Sequence, residues 1–317
     1  MWVWLEVIET VQRKKLLMPK LGSIPRPIHA VCSWALRTLV PEWYWPRSIN
    51  VDGVQIQIRD TPYTFSTRQI LCAGKYERPE RTLVNRVIKP GMQVLEFGGS
   101  IGIVTAVVAH RCGPTGRVIS VEASPRLVGY SKKWLELSPH VTVLAGYAFP
   151  LWTLPDGLRI DGFSGGNVSL GGRVEYSVAR AAAEGGLEDR LAGDSIGAPI
   201  SASINAPIGV PVAKNNASQS LNKLHIASSD LTSFDMSSLC ARFGVQPDAL
   251  VMDIESAEAV IVSHRPNYPP SLQTIVAELH PWMYANGTKD LDAILHAYAR
   301  EGFRHSETIE NTFLFER

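Results

Sequence analysis

The sequence predicts an α/β fold with a mostly parallel sheet, and three observations carry that expectation. Residues 91–102, Gly-Met-Gln-Val-Leu-Glu-Phe-Gly-Gly-Ser-Ile-Gly, read as a buried strand entering a glycine turn, followed by an apolar helix from Ile101 onward. Residues 117–122 read as a second strand that ends in Glu122, roughly 20 residues on, where ribose-binding acids sit in such folds. Two further strands end in polar clusters: residues 248–258 in Asp253, Glu255 and Glu258, and residues 275–280 in Glu278 and His280.

The remaining elements are justified in chain order. Residues 1–20 read as an amphipathic helix through Trp2, Trp4, Leu5, Ile8, Leu16 and Leu17. Contact with a membrane surface is one role for it; docking on the catalytic domain or on a partner subunit is the preferred one. Pro25, Pro27, Pro41 and Pro46 punctuate the connection to the core, and residues 48–59 alternate like a hairpin around Asp52-Gly53. That hairpin is expected to cap one end of the sheet or, with Trp43, Tyr44, Trp45, Tyr63 and Phe65, to form a lid. Residues 141–146 supply a third core strand. A stretch from 157 to 220 is rich in Gly, Ala, Ser and Asn and buries little apolar surface, so it reads as a long insertion. Within and beside it, 177–191 is a candidate helix weakened by Gly185 and Gly186, and 167–170 and 224–227 are candidate short strands. The insertion is either a substrate-side cover or a tolerated surface loop. Residues 303–315 read as a terminal hairpin. The chain thus divides into an N-terminal extension, 1–66, and a core domain, 67–317.

Glycine spacing separates two cofactor classes. A dinucleotide fingerprint, G-x-G-x-x-G, seats a pyrophosphate on backbone amides at a helix N-terminus. Counting from Gly98, its second and third glycine positions are Ser100 and Ile103, so the pattern fails twice. What remains is acid-x-Gly-x-x-x-Gly, from Glu96 to Gly102. That suits S-adenosylmethionine, which has no phosphate and carries a sulfonium and an ammonium that gain from a nearby carboxylate. The plainer reading is an ordinary tight turn with a solvated Glu96; Glu122 at the next strand end weighs against it.

Ligands of open α/β sheets bind outside the carboxyl ends of the strands, so Glu96, Glu122, Asp253, Glu278 and His280 are expected to converge on one crevice. Period-two geometry places Asp253 with Glu255, and Glu278 with His280, on common sides of extended strands. Glu255 or Glu258 could instead serve the N-terminus of the following helix. Transfer of a methyl group to a hydroxyl needs the acceptor oxygen in line with the methyl carbon and sulfur, and a base for the hydroxyl proton. His280 and Asp253 are the candidate catalytic residues, with a satisfied core histidine as the competing account of His280. A divalent cation on Asp253, Glu278 and His280 is the less favoured alternative, because no close-spaced ligand motif is present.

Residues 75–80 (Lys-Tyr-Glu-Arg-Pro-Glu), 88–102, 121–125 (Val-Glu-Ala-Ser-Pro), 252–258 (Met-Asp-Ile-Glu-Ser-Ala-Glu) and 276–280 (Val-Ala-Glu-Leu-His) occur in an order and spacing that resemble the FkbM family of S-adenosylmethionine-dependent methyltransferases. The resemblance runs from about Tyr76 to the C-terminus, interrupted by the insertion. It implies a Rossmann-like class I methyltransferase fold with a seven-stranded, mostly parallel sheet, and O-methylation of a hydroxyl on a sugar, glycan, lipid or polyketide-type natural product. It also implies cofactor contacts from Glu77, Glu96, Gly98, Gly99, Ser100, Gly102, Glu122, Ala123 and Ser124. Three positions depart from the family pattern: Glu96 for the usual Asp, Ser100 for Asn, and Ser256 for Gly. Glu96 and Ser100 keep charge and hydrogen-bonding ability. At Ser256, a side chain is expected to forbid a positive backbone angle and hinder close approach of a ligand.

Composition bounds the remaining classes. The 317 residues are 45% hydrophobic and 19% charged, as in a globular enzyme. A net charge of +1 argues against a nucleic-acid partner, which demands a strong basic footprint. Cys32, Cys72, Cys112 and Cys240 form no Cys-x-x-Cys pair, so neither zinc nor a disulfide framework is expected and a reducing cytoplasm is the default. The apolar stretch 28–40 is too short to span a membrane, and Glu6 and Glu9 ahead of Arg13-Lys14-Lys15 invert the order of a signal peptide. A nicotinamide oxidoreductase is disfavoured by the broken glycine fingerprint. A non-catalytic accessory protein that binds the same cofactor is the main alternative to the enzyme. Substitution of Gly98 by Val is expected to abolish cofactor binding by intruding on the ligand.

Overall fold

The computed structural model describes residues 41–135, 138–155, 158–164, 173–178 and 231–317. The expected helix within 1–20, the strands at 167–170 and 224–227, Cys32 and most of the 157–220 insertion lie outside the described residues.

Strands β1 (Ser48–Val51) and β2 (Val54–Gln57) pair antiparallel, and Asp52 (φ 51°) and Gly53 (φ 92°) supply the two left-handed residues of a tight hairpin turn. Next come α1 (Phe65–Cys72), α2 (Arg78–Val87), β3 (Gln93–Phe97), α3 (Ile103–Cys112), β4 (Arg117–Glu122), α4 (Pro125–Leu135), β5 (Val141–Ala145) and β6 (Tyr147–Ala148). A separate antiparallel pair follows, β7 (Leu158–Ser164) with β8 (Arg173–Val178). Ser177 and Val178 therefore end a strand where a helix was expected to begin. Val174, Tyr176 and Val178 alternate with Arg173, Glu175 and Ser177, and that period of two prevails over the helical reading. The chain closes with β9 (Ser233–Phe234), α5 (Met236–Phe243), β10 (Ala249–Met252), α6 (Val260–Ser263), β11 (Thr274–Glu278), α7 (Thr288–Arg300), β12 (Arg304–Ile309) and β13 (Thr312–Glu316).

Seven strands form one sheet in the order β12-β13-β11-β10-β3-β4-β5. The neighbours from β5 to β11 run parallel, and β13 is antiparallel to both β11 and β12. This is the α/β class I methyltransferase fold expected from the sequence. Chain order reverses between β3 and β10, which opens a crevice beyond their carboxyl ends. Register brings the tips level: Met252 pairs with Phe97 and Ala277, and Phe97 with Val121.

Alternation along the central strands divides the core between the two faces of the sheet. Leu95, Phe97, Ile119, Val121, Leu250 and Met252 pack on one face, while Val94, Val118, Ala249 and Val251 pack on the other with α2 and α3. Helix α3 is buried along almost its whole length because the β1–β2 hairpin covers its outer side: Val51, Ile56 and Ile58 join the same cluster, and Gly53 lies against His110. The hairpin thus docks on the helical layer rather than capping an end of the sheet. The aromatic lid is not found either. Trp45 and Tyr63 are buried in that cluster, which leaves Trp43 and Tyr44 exposed. Among the described residues, no helix is long and apolar enough to cross a membrane. Cys72, Cys112 and Cys240 are free thiols, the last two buried.

Candidate active site

The glycine turn after β3 is shaped by protein contacts. Gly98 (φ 89°) donates its N–H to Val121 O at 2.8 Å, and a Cβ there would stand 1.7 Å from the backbone oxygen of Asp253. A Cβ on Gly99 would meet Ser120 Oγ at 2.2 Å, and one on Gly102 (φ 85°) would meet Leu135 of α4 at 2.7 Å. The glycines let the tips of β3, β4 and β10 and the start of α3 close on one another. A larger residue at Gly98 would therefore strike the β10 tip, which adds a cause internal to the protein to the expected intrusion on the ligand in Gly98→Val. Ser100 (φ 48°) completes the turn, and its hydroxyl lies 3.1 Å from that of Tyr76, on the loop before α2.

Carboxylates surround this turn. Glu122 accepts the N–H of Ser100 at 2.9 Å and of Ser124 at 2.7 Å, one on each oxygen. Burial raises its pKa against those two bonds, and each oxygen keeps acceptor capacity for a ligand hydroxyl. Ala123 packs partly against the core, and Ser124 Oγ accepts the Leu127 N–H at the start of α4. Glu96 lies on the α3 face of the sheet, where Oε2 accepts the Thr105 hydroxyl at 2.6 Å and Oε1 is buried without a hydrogen-bond partner. Burial pushes Glu96 up to about 7, with the Ser120 and Thr105 hydroxyls opposing. Glu77, left-handed at φ 45° before α2, is raised to about 8 by burial and by Glu278 and Glu96, with the neighbouring Tyr76 hydroxyl opposing. Glu80, one turn on, is raised well above the carboxylate range by burial, then by Glu77 and Asp253. Sequence reasoning gave Glu80 no role; its position three residues after Glu77 in a helix was the available signal.

Beyond β10 and β11 lies the second group. Asp253 and His280 both lie past the ends of their strands, in turns, so period-two alternation does not govern their directions. His280 Nε2 nevertheless faces Asp253 Oδ1 at 3.7 Å, Glu255 Oε2 at 3.8 Å and Glu278 Oε1 at 3.6 Å, while Nδ1 faces the fully buried Glu258 at 3.8 Å. Glu258 Oε1 accepts the Ile254 N–H at 3.1 Å, which accounts for that acid as a turn-closing group. Burial opposes the imidazolium, but Glu258, Glu278 and Asp253 outweigh it and bring His280 up to about 11. Asp253 is raised well above the carboxylate range by burial and by Glu278, against the pull of His280. The Tyr284 hydroxyl oxygen accepts the backbone N–H of His280 at 3.0 Å, and the exposed Trp282 stands edge-on to the imidazole at 5.2 Å. These two aromatics were not anticipated from the sequence.

All the sequence-derived acids are therefore found at one edge of the sheet, with Glu122 and Asp253 on either side of the glycine turn. The set suits a ligand with positive charge and hydroxyl groups. A pyrophosphate would meet the carboxylates of Glu96, Glu122 and Glu255 in the same space, at a Coulombic cost.

The family match falls on the first half of this site. Residues 58–146 match the family model for protein-L-isoaspartate(D-aspartate) O-methyltransferase. Protein-L-isoaspartate O-methyltransferase 1 of Arabidopsis thaliana is 45% identical over 79 residues, 25% of this chain and 34% of that protein. Protein-L-isoaspartate O-methyltransferase of Methanothrix thermoacetophila is 47% identical over 49 residues, 16% of this chain and 23% of that protein. The chain thus spans about a third of one of these curated relatives and about a quarter of the other. Among solved structures, the Methanococcus jannaschii fibrillarin pre-rRNA processing protein covers 88% of this chain and 84% of its own at 10% identity, with a TM-score of 0.38. The matched family segment holds the glycine turn and Glu122 and stops short of Asp253, Glu278 and His280.

Proposed function

We propose that this class I methyltransferase fold, with S-adenosylmethionine as its cofactor, methylates a hydroxyl on a sugar, glycan, lipid or polyketide-type acceptor. The observation that carries the reading is the group formed by Asp253, Glu255, Glu278 and His280 beside the glycine turn. The bound cofactor supplies an electrophilic methyl on a sulfonium. Glu122 is placed to accept its ribose hydroxyls, and Glu96 and Glu77 give the turn a negative potential that favours its positive charge. Asp253 and Glu255 are the two carboxylates offered to the acceptor's proton; burial raises both above their ordinary values, which makes either one a stronger base in its ionised form. His280, held as an imidazolium by its acidic neighbours, orients those carboxylates and is not the base in this state.

The names of the matched relatives raise a carboxylate acceptor as the competing reading. A carboxylate needs no base, and each ionised acid among Asp253, Glu255 and Glu278 would repel it by about 4 kcal/mol at 4 Å and an intermediate dielectric, with the His280 imidazolium offsetting part of that cost. The resemblance to the FkbM family in residues 252–258 and 276–280, outside the matched segment, also supports a hydroxyl acceptor.

Transfer of labelled methyl from S-adenosylmethionine to a panel of hydroxyl acceptors and an isoaspartyl peptide tests the proposal. Asp253→Asn is expected to lower kcat by roughly 10²–10⁴ while cofactor affinity is kept. Glu122→Gln is expected to weaken cofactor binding about tenfold. Methylation of the peptide alone would overturn the acceptor class, and an unchanged biological output from Asp253→Asn would favour the accessory-protein reading.

A further inference from the structure

Three groups at the tips of β10 and β11 are arranged for more than proton transfer. Asp253, Glu278 and His280 each offer one ligand atom, and these atoms lie within 4.8 Å of one another. Ligands about 2.1–2.4 Å from one ion are at most about 4.2–4.8 Å apart, so one ion could reach all three atoms and keep open positions for an acceptor oxygen. A cluster of acids alone would not distinguish a cation site from a solvated edge. The histidine does: its side chain is only 6% exposed, and Nε2, the nitrogen aimed at the cluster, stays 3.6–3.8 Å from three carboxylates, beyond hydrogen-bond length. Asp253 Oδ1, which faces that nitrogen, is likewise buried without a hydrogen-bond partner. Burying such groups without good hydrogen bonds is costly, and a cation placed among them would satisfy all three.

We infer that Asp253 Oδ1, Glu278 Oε1 and His280 Nε2 form a divalent-cation site that binds and activates the acceptor hydroxyl, the cation displacing to solvent the proton that His280 carries in its absence. Two carboxylates and one imidazole suit Mn²⁺ or Zn²⁺, since oxygen donors favour the harder ion and imidazole the softer one. The role in activation deepens the methyltransferase reading and rests on it; binding of the cation does not. Coordination would lower the pKa of the acceptor hydroxyl. Its O–H bond breaks and the proton passes to Glu255, the carboxylate on the same turn left outside the ligand set. The oxygen then forms a bond to the methyl carbon as the carbon–sulfur bond breaks, and that electron pair remains on sulfur as a neutral thioether. This arrangement assigns Asp253 to the metal and the proton to Glu255.

Titration of the full chain with Mn²⁺, followed by electron paramagnetic resonance, tests the site, with Zn²⁺ competition as a second probe. One Mn²⁺ is expected to bind per chain. Asp253→Asn and Glu278→Gln should each weaken it by roughly tenfold or more. Glu122→Gln should weaken the cofactor and leave Mn²⁺ binding unchanged, which separates the two sites. Should those ligand variants fail to fold, as judged by circular dichroism, His280→Gln supplies the same comparison. Absence of both Mn²⁺ and Zn²⁺ binding, or equal binding by wild type and the Asp253→Asn/Glu278→Gln double variant, overturns the site. Methyl transfer that survives exhaustive chelation overturns its part in activation. Cation binding without transfer to any acceptor leaves the site standing and removes the methyltransferase reading beneath its role.

Discussion

Ser256 shows how a turn can override a residue's own preference. It adopts φ 86°, directly after Glu255 at φ 49°, so two consecutive left-handed residues are occupied by side chains. The expectation that serine forbids this geometry does not hold. The turn is closed from both ends, by Ile254 N–H on Glu258 and by Ala259 N–H on Ser256 O at 3.1 Å, and those bonds impose the angle. A left-handed L-residue costs about 1–2 kcal/mol. Ser256→Gly is therefore expected to stabilise the protein by about 0.5–1 kcal/mol after the added freedom of the unfolded chain is subtracted. Urea denaturation should show a higher midpoint with an unchanged slope; a lower midpoint would mean that the serine side chain holds the turn. Gly98 presents the opposite case. Gly98→Ala should lower the melting temperature together with cofactor affinity, because its Cβ would drive Asp253 away from β3. Loss of affinity at an unchanged melting temperature would instead indicate a clash with the ligand.

At the scale of elements, the sequence was most readable where periodicity and turn chemistry agree. The strand before Gly98, the strand ending at Glu122 and both the Asp52-Gly53 and C-terminal hairpins combine apolar alternation or runs with a turn residue suited to its angle. What covers an element was less readable. Nothing in the spacing of Trp45 and Tyr63 distinguishes a lid from a core, because burial is set by contacts distant in sequence. The link from hairpin to site was hidden for the same reason. Arg81, almost fully buried on α2, pairs with Asp52 in the hairpin turn and donates to Gly74 O at 2.9 Å and Tyr76 O at 2.8 Å. It thereby ties the hairpin to the loop whose Tyr76 hydroxyl meets Ser100. Arg81→Met should cost roughly 1–3 kcal/mol, since the Gly74 and Tyr76 carbonyls lose their donor and Asp52 its buried partner, and should also weaken the cofactor. A purely local stability loss, with affinity intact once folding is corrected for, would show that the loop does not transmit its position to the turn.

Across the whole molecule, a net charge of +1 conceals a strongly uneven distribution. Glu77, Glu80, Glu96, Glu122, Asp253, Glu255 and Glu278 lie at one edge of the sheet, although the chain as a whole is nearly neutral. Strand-end acids were readable from sequence because the fold class places strand ends together; the depth of their burial was not, because it depends on α2 and α3 closing over the turn. Glu96 makes the consequence measurable. Its pKa is raised from 4.5 to about 7 by burial, so the folded state holds a proton over that interval that the unfolded chain has released. The contribution of Glu96 to stability is thus fully retained below about 4.5, falls as pH rises to about 7, and is constant above it. A shift of this size corresponds to a loss on the order of 3 kcal/mol. A positively charged cofactor beside ionised Glu96 reverses the penalty, so S-adenosylmethionine should raise the melting temperature more at pH 8 than at pH 5. S-adenosylhomocysteine, which lacks the sulfonium charge, should show a smaller pH dependence, and Glu96→Gln should flatten the unliganded profile between those values. Equal pH dependence for the two nucleosides, or a Glu96→Gln profile identical to wild type, would mean that Glu96 does not respond to the cofactor's charge.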